Sequence, residues 1–387
     1  MRTPTYLHFP LDEFRARLDG LRGRMATAGL DALVLHGPEN IYYLSGYQTP
    51  GYYLSLALIV PLERDPILIP PPHEESLVPA YSIYEDYRLY RDTHDWIATT
   101  RDTLLDLGLG TKCIGVERGS WFLTVRDHAR FTDLLGDATI VDGSGLVEQG
   151  RMIKSPREIA YMRAAAEAAQ AGMAAGLAAT RAGATEADVA AAIHRGQLGA
   201  GSEYPGIPPF VTSGPRSMLV HASWSPRPLE PGDAVFLEVP GCVHRYHAAF
   251  TRAAWIGEPP PHARRVAEVG AEALAEAKAA MRPGIPAAAV FEAGRHRIDA
   301  GDVGYTQGRR LGYALGTAFP PRWDEGHIIN LNRNEPRPLE PGMVFHVITT
   351  MRPQRLGGAV GMSDTVLVTP TGAETLTARV PPQLYVR

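Results

Sequence analysis

The apolar and polar positions of the first 150 residues change period several times. Phe14, Leu18, Leu21 and Met25 recur at helical spacing, which predicts an amphipathic helix from Asp12 to Ala28. Ala32-Leu33-Val34-Leu35 is a short apolar run and predicts a strand, with Gly37-Pro38-Glu39-Asn40 read as the turn after it. Leu54–Val60 and Pro66–Ile69 flank the charged Glu63-Arg64-Asp65 and predict a hairpin. Thr99–Leu107 reads as a helix and Cys113–Val116 as a further strand. Gly108-Leu109-Gly110 follows the helix and lacks a third glycine, so it reads as a helix C-cap and not as a phosphate loop. This alternation predicts an α/β layered domain over residues 1–150.

From residue 151 the pattern changes. Ser155-Pro156-Arg157-Glu158 has the N-cap serine, first-turn proline and N3 glutamate of a capping box, and predicts the start of an Ala-rich helix running to about Ala182. Arg227-Pro228-Leu229-Glu230-Pro231-Gly232 recurs unchanged at Arg337–Gly342, and each copy leads into an apolar strand, Ala234–Val239 and Val344–Ile348. Arg181-Ala182-Gly183 and Arg282-Pro283-Gly284 likewise join two helices apiece. The second half therefore reads as a duplicated helix-helix-strand unit with its site in the cleft between two β-sheet halves.

Composition excludes several classes. Of 387 residues, 38 are Lys or Arg and 42 Asp or Glu, a formal charge of −4 that offers no nucleic-acid footprint. No apolar run approaches the ~18 residues of a membrane span, and no secretory h-region opens the chain, so a cytoplasmic protein is expected. Two cysteines are too few for a disulfide framework or a thiolate zinc site. The 39 Gly and 33 Pro imply many turns between short elements.

Asn40–Tyr47, Lys154–Ile159, and Ser213-Gly214-Pro215 leading to His221 and Gly232-Asp233 resemble the signatures of the creatinase/prolidase/methionine-aminopeptidase superfamily. The resemblance covers essentially the whole chain. It implies a creatinase-like mixed α/β N-terminal domain (1–150) and a duplicated α+β "pita-bread" catalytic domain (151–387). The family's usual members hold two metal ions with two Asp, one His and two Glu. Here those positions are Glu238, Ala249, Tyr313, Ile348 and Ser363. Alanine and isoleucine have no donor atom, so no dinuclear centre is expected there and no cofactor is implied.

Finer motifs resemble the ectoine-hydrolase branch: Glu238-Val239-Pro240-Gly241-Cys242 with Arg245-Tyr246-His247, Gly312–Gly316 with Pro320–Gly326, and Gly342–His346. Ser363-Asp364-Thr365 departs from it, since Ser-Glu-Thr is the branch pattern. The resemblance implies a metal-independent hydrolase that opens a C–N bond of a small cyclic amidine amino acid. His221, Glu238 and Glu325 are the candidate catalytic residues; Arg245, His247, Tyr313, Trp323, His346 and Tyr52 are the candidate substrate-binding residues. It also implies a homodimer in which Tyr47, Tyr52 or Tyr53 closes the partner's cleft around a small-molecule substrate. A creatinase-like amidinohydrolase, a biosynthetic C–N enzyme or cyclase, and a non-catalytic pseudo-peptidase stay open as alternatives. A metallopeptidase is the reading these residues favour least.

Two candidates carry an argument from the strand pattern itself. Glu238 interrupts an apolar strand, where an ionised side chain is unfavourable unless paired or used; Arg245 is one partner to consider. His346 interrupts the equivalent strand of the second copy. With a period of two, Glu238 shares a face with Phe236, and His346 with Ile348, so both polar groups are expected to point into one cleft.

Overall fold

The apolar stripe of the first helix, α1 (Leu11–Thr27), is buried as its spacing requires: Phe14, Leu18, Leu21 and Met25 are all at most 1% exposed. The computed structural model describes residues 1–91, 95–304 and 308–387, in two compact units, Met1–Arg151 and Met152–Arg387.

In the N-terminal unit, β1 (Ala32–Leu35), α2 (Pro38–Ser45), β2 (Ala57–Pro61), β3 (Ile67–Ile69), α3 (Leu77–Tyr81), α4 (Trp96–Asp106), β4 (Cys113–Val116), α5 (Val125–Leu134), β5 (Thr139–Asp142) and α6 (Glu148–Arg151) follow α1. The sheet runs β3-β2-β1-β4-β5, with β2/β3 the expected antiparallel hairpin and β1/β4/β5 parallel. One expectation fails here. The stretch read as a turn at Gly37–Asn40 begins α2, with Pro38 in its first turn. The residues leading into it are held by a distant carboxylate: Glu117 Oε2 accepts the His36 and Gly37 N–H groups at 2.7 Å each, and Oε1 accepts from the Asn40 amide at 2.6 Å. That partner lies 80 residues from Gly37 and leaves no local signal.

The second unit opens with α7 (Pro156–Ala179), whose capping box pairs Ser155 and Glu158 in both directions. Then come α8 (Glu186–Gly199), β6 (Phe210–Ser213), β7 (Ala234–Val243), β8 (Tyr246–Trp255), α9 (Pro261–Ala280), α10 (Ala287–Gly301), β9 (Arg310–Ala314), β10 (Asn330–Asn332), β11 (Val344–Ile348), β12 (Ser363–Thr369), β13 (Gly372–Thr375) and β14 (Leu384–Val386). Two sheets result, β14-β8-β7-β6 and β10-β9-β11-β12-β13.

The two copies of the repeated hexapeptide make the same hydrogen bonds. Gly183 N–H donates to Leu229 O and Leu229 N–H to Ala184 O; in the second copy Gly284 donates to Leu339 O and Leu339 to Ile285 O. Both leucines are buried, and the closing glycines Gly232 and Gly342 take φ of 93° and 94°, a left-handed conformation that side chains resist. The hexapeptide is thus a structural strap that ties each helix pair to its strand.

Strand alternation then sorts the side chains. On β7, Val235, Leu237 and Val239 pack into the core beneath α7 and α8, which leaves Phe236 and Glu238 on the opposite face. On β11, Phe345 and Val347 join the second core, which leaves His346 and Ile348 on the face away from it. Gly241 lets α7 approach β7 closely: a Cβ there would run into the Ala165 carbonyl. The sheets meet along β8 and β12. Ala249 N–H donates to Thr365 Oγ1 (3.0 Å), and Arg252 donates to Ser363 O (2.7 Å) and Asp364 Oδ1 (2.8 Å).

Candidate active site

Glu238, on β7, is paired in register with Phe210 on β6 and Thr251 on β8. Its Oε1 lies 4.0 Å from His346 Nδ1 on β11, so the polar interruptions of the two repeat copies do meet. Glu238 makes no hydrogen bond among the described residues. Burial pushes its carboxyl up to about 7, with the positive charge of Arg352 partly offsetting the shift. Burial acts oppositely on His346, which falls to about 3 with help from the charges of Arg310 and Arg252. The imidazole is therefore neutral at pH 7.

His346 bridges Tyr313 and Ser363, two positions that the resemblance aligns with the family's metal ligands. Nδ1 is 2.9 Å from the Tyr313 hydroxyl and Nε2 is 2.6 Å from Ser363 Oγ. The Tyr313 oxygen also accepts from Trp323 Nε1 at 3.0 Å. Burial, and next the Glu238 carboxylate, hold the Tyr313 hydroxyl well above its ordinary pKa, so it stays protonated. A neutral imidazole donates through one nitrogen and accepts through the other. With the proton on Nε2, Tyr313 donates to the ring and Ser363 keeps a free hydroxyl proton. With the proton on Nδ1, the free proton is on Tyr313. The chain can thus pass a proton between two hydroxyls without charging His346.

His221 lies on a different wall. It is exposed, adopts φ 62°, and stacks on Phe210 with ring centroids 5.8 Å apart. Phe210 in turn meets Trp323 edge-on, also at 5.8 Å. Phe210 thereby links His221 to the Trp323–Tyr313–His346 group. Its position one strand over from Glu238 has no motif to announce it.

The remaining candidates make contacts outside this group. Glu325 is buried against Lys154, Oε2 to Nζ 2.7 Å, both side chains at most 1% exposed. Lys154 sits in a recognised motif, but its partner is 171 residues away. Arg245 is not on a strand. His244 and Arg245, with φ 48° and 65°, form the two-residue turn between β7 and β8. Such a turn usually calls for Asn-Gly. Here the Glu203 carboxylate accepts both turn N–H groups, at 3.0 and 3.2 Å, and its charge lies 3.7 Å from the Arg245 guanidinium. That guanidinium donates to the carbonyls of Tyr204 and Ala318, so Arg245 does not pair with Glu238. His247 is buried and accepts from the Gly206 N–H at 2.9 Å; burial and then Arg245 depress its pKa well below the usual value. Asp364, the departure from the branch pattern, pairs with Arg252 and Lys278 (2.8 and 2.6 Å). Tyr52 belongs to the N-terminal unit, where it meets Phe122 edge-on; Tyr47 is buried there and Tyr53 is 77% exposed.

The sequence profile of metallopeptidase family M24 matches residues 160–370, and that of the creatinase/prolidase N-terminal domain matches residues 17–153. The chain belongs to family M24. A hydrolase/peptidase of Sinorhizobium fredii is 31% identical to this M24 member over 98% of this chain and 99% of its own. The ectoine hydrolase of Halomonas elongata is 28% identical, with the same coverage. The crystal structure of an X-Pro aminopeptidase from Thermotoga maritima superposes with a TM-score of 0.84, covering 96% of this chain and 99% of that one at 23% identity. The M24 pita-bread fold is therefore shared with peptidases. The metal set is another matter: Ala249 and Ile348 offer no donor, and the hydroxyls of Tyr313 and Ser363 are committed to His346. These residues do not fit a dinuclear M24 metal centre.

Proposed function

We propose that this protein is a metal-independent hydrolase that opens a C–N bond in a small cyclic amidine amino acid, in the manner of the ectoine hydrolase it resembles. The observation that carries the reading is the Tyr313–His346–Ser363 hydrogen-bonded chain, which spans two of the family's five ligand positions beside the lone carboxylate Glu238.

A carboxyl that titrates near neutrality is suited to both halves of an amidine hydrolysis. Ionised, Glu238 stabilises the amidinium or takes a proton from the water that attacks the sp² carbon. His221 delivers a proton to the departing ring nitrogen, so one C–N bond breaks, the water oxygen becomes the amide oxygen, and the single opened product carries both an amide and an amine. The aromatic faces of Phe210, Tyr313 and Trp323 suit a cationic substrate. Under this reading Glu325 is a positioning residue, because its carboxylate is already matched by Lys154. The same reading includes a cytoplasmic homodimer with Tyr52 near the partner's cleft.

The test is a mass-spectrometric screen of the purified, chelator-treated protein against ectoine, hydroxyectoine, creatine and Xaa-Pro dipeptides. Ring-opened ectoine-type product supports the reading. Turnover of Xaa-Pro dipeptides alone, restored by Mn or Co, replaces it with a peptidase.

A further inference from the structure

Glu186 is the first residue of α8, and it is fully buried, although a glutamate ordinarily reaches water. A carboxylate is unfavourable in such a place unless donors match its oxygens. Here each oxygen holds one serine twice. Oε1 accepts the backbone N–H and the hydroxyl of Ser213 at 2.7 and 2.8 Å, and Oε2 accepts those of Ser225 at 2.9 and 2.7 Å. Arg216 completes the set, with Nε 3.2 Å from Oε2 and Nη2 donating to Ser223 O at 2.8 Å. The helix does not need Glu186 for its own start, because Thr185 and Asp188 cap α8 in both directions.

Ser213 and Ser225 are the two ends of the loop that carries His221. Within it Leu219, Val220 and His221 are exposed. The φ of 62° at His221 is left-handed, and a residue other than glycine keeps that conformation only where its surroundings impose it. The imidazole stacks on Phe210, which opens the same strand, β6, that ends at Ser213. One buried carboxylate therefore anchors the strand bearing Phe210 and both ends of the loop bearing His221.

We propose that Glu186 is a positioning residue for His221: by drawing both loop ends onto one side chain, it holds the imidazole against Phe210 in the orientation from which the proton is delivered. The proposal rests on the reading of His221 as the proton donor.

The experiment uses the full chain and the compound that the mass-spectrometric screen finds turned over. Glu186→Gln and Ser225→Ala are measured alone and in combination with His221→Ala. Glutamine keeps the shape, but one of its two polar atoms donates instead of accepting, so one loop end loses its anchor. Ser225→Ala removes a single hydroxyl and serves where Glu186→Gln fails to fold. Glu186→Gln is expected to lower kcat by about tenfold or more with KM unchanged, and Ser225→Ala to lower it less. Neither is expected to cost anything further in the His221→Ala background. Chymotrypsin cleavage after Leu219, which needs no turnover, is expected to quicken by about tenfold or more in Glu186→Gln, the sign of a released loop. Equal losses of kcat with and without His221 would make Glu186 a structural residue only and overturn the proposal, as would wild-type kcat and cleavage in the folded variants. Wild-type turnover in His221→Ala alone would instead overturn the proton-donor reading, and the proposal with it.

Discussion

Glu238 and His346 face each other at 4.0 Å with their ordinary order of titration reversed, the carboxyl at about 7 and the imidazole at about 3. Between those values both groups are neutral, so the pair is not a salt bridge. Above pH 7 the carboxylate is charged beside a neutral ring, which is the state a general base or nucleophile requires.

This inversion has a stability cost of definite sign. A carboxyl whose folded pKa exceeds its unfolded value binds more protons in the native state between the two. Stability therefore falls as pH rises from about 4.5 to 7, and the penalty is complete above 7. Glu238→Gln is expected to stabilise the protein by about 2–3 kcal/mol at pH 8 and by almost nothing at pH 4. Urea unfolding at the two pH values checks it; equal effects at both contradict the shift. In the wild type, kcat/KM is expected to rise with pH through about 7.

Tyr313→Phe keeps the ring and removes the oxygen that holds both Trp323 Nε1 and His346 Nδ1. Leaving buried partners unsatisfied is expected to destabilise the fold by about 1–3 kcal/mol. Activity is expected to fall by about 10²-fold if the chain moves a proton. Ser363→Ala in the Tyr313→Phe background is then expected to cost little more, because the chain is already broken. Additive losses in the double variant would show that the two hydroxyls act separately.

Lys154→Met strands the Glu325 charge in the interior and is expected to cost about 3–5 kcal/mol. Adding Glu325→Gln is expected to recover most of that stability, measured by thermal unfolding, together with most of kcat. Recovered stability with no recovered turnover would place Glu325 in the chemistry instead.

The two repeat copies were legible because identical hexapeptides do identical work: Leu229 and Leu339 are buried straps, and the strand after each has a period that separates core residues from cleft residues. The meeting of Glu238 and His346 followed from that period. What the sequence concealed depends on distant partners. Glu117 holds the entry to α2, where the residue types predict a turn, from 80 residues away, and Lys154 claims Glu325 from 171 residues away. Glu203 allows a hairpin turn at His244-Arg245 that the residue types alone do not suggest, and so keeps Arg245 away from Glu238, its candidate partner. Phe210 and Arg352 belong to no motif, and only the folded sheet brings Phe210 beside Glu238 and the Arg352 charge within reach of it.

In the proposed reaction, the family's metal positions serve metal-free chemistry. Measuring bound transition metals by inductively coupled plasma mass spectrometry, in the same chelator-treated sample whose ectoine ring opening is followed, decides it. The expected result is well below one metal ion per chain with turnover intact, and loss of that turnover in Glu238→Gln. Two ions per chain, with activity that disappears on chelation and returns with Mn or Co, would contradict it.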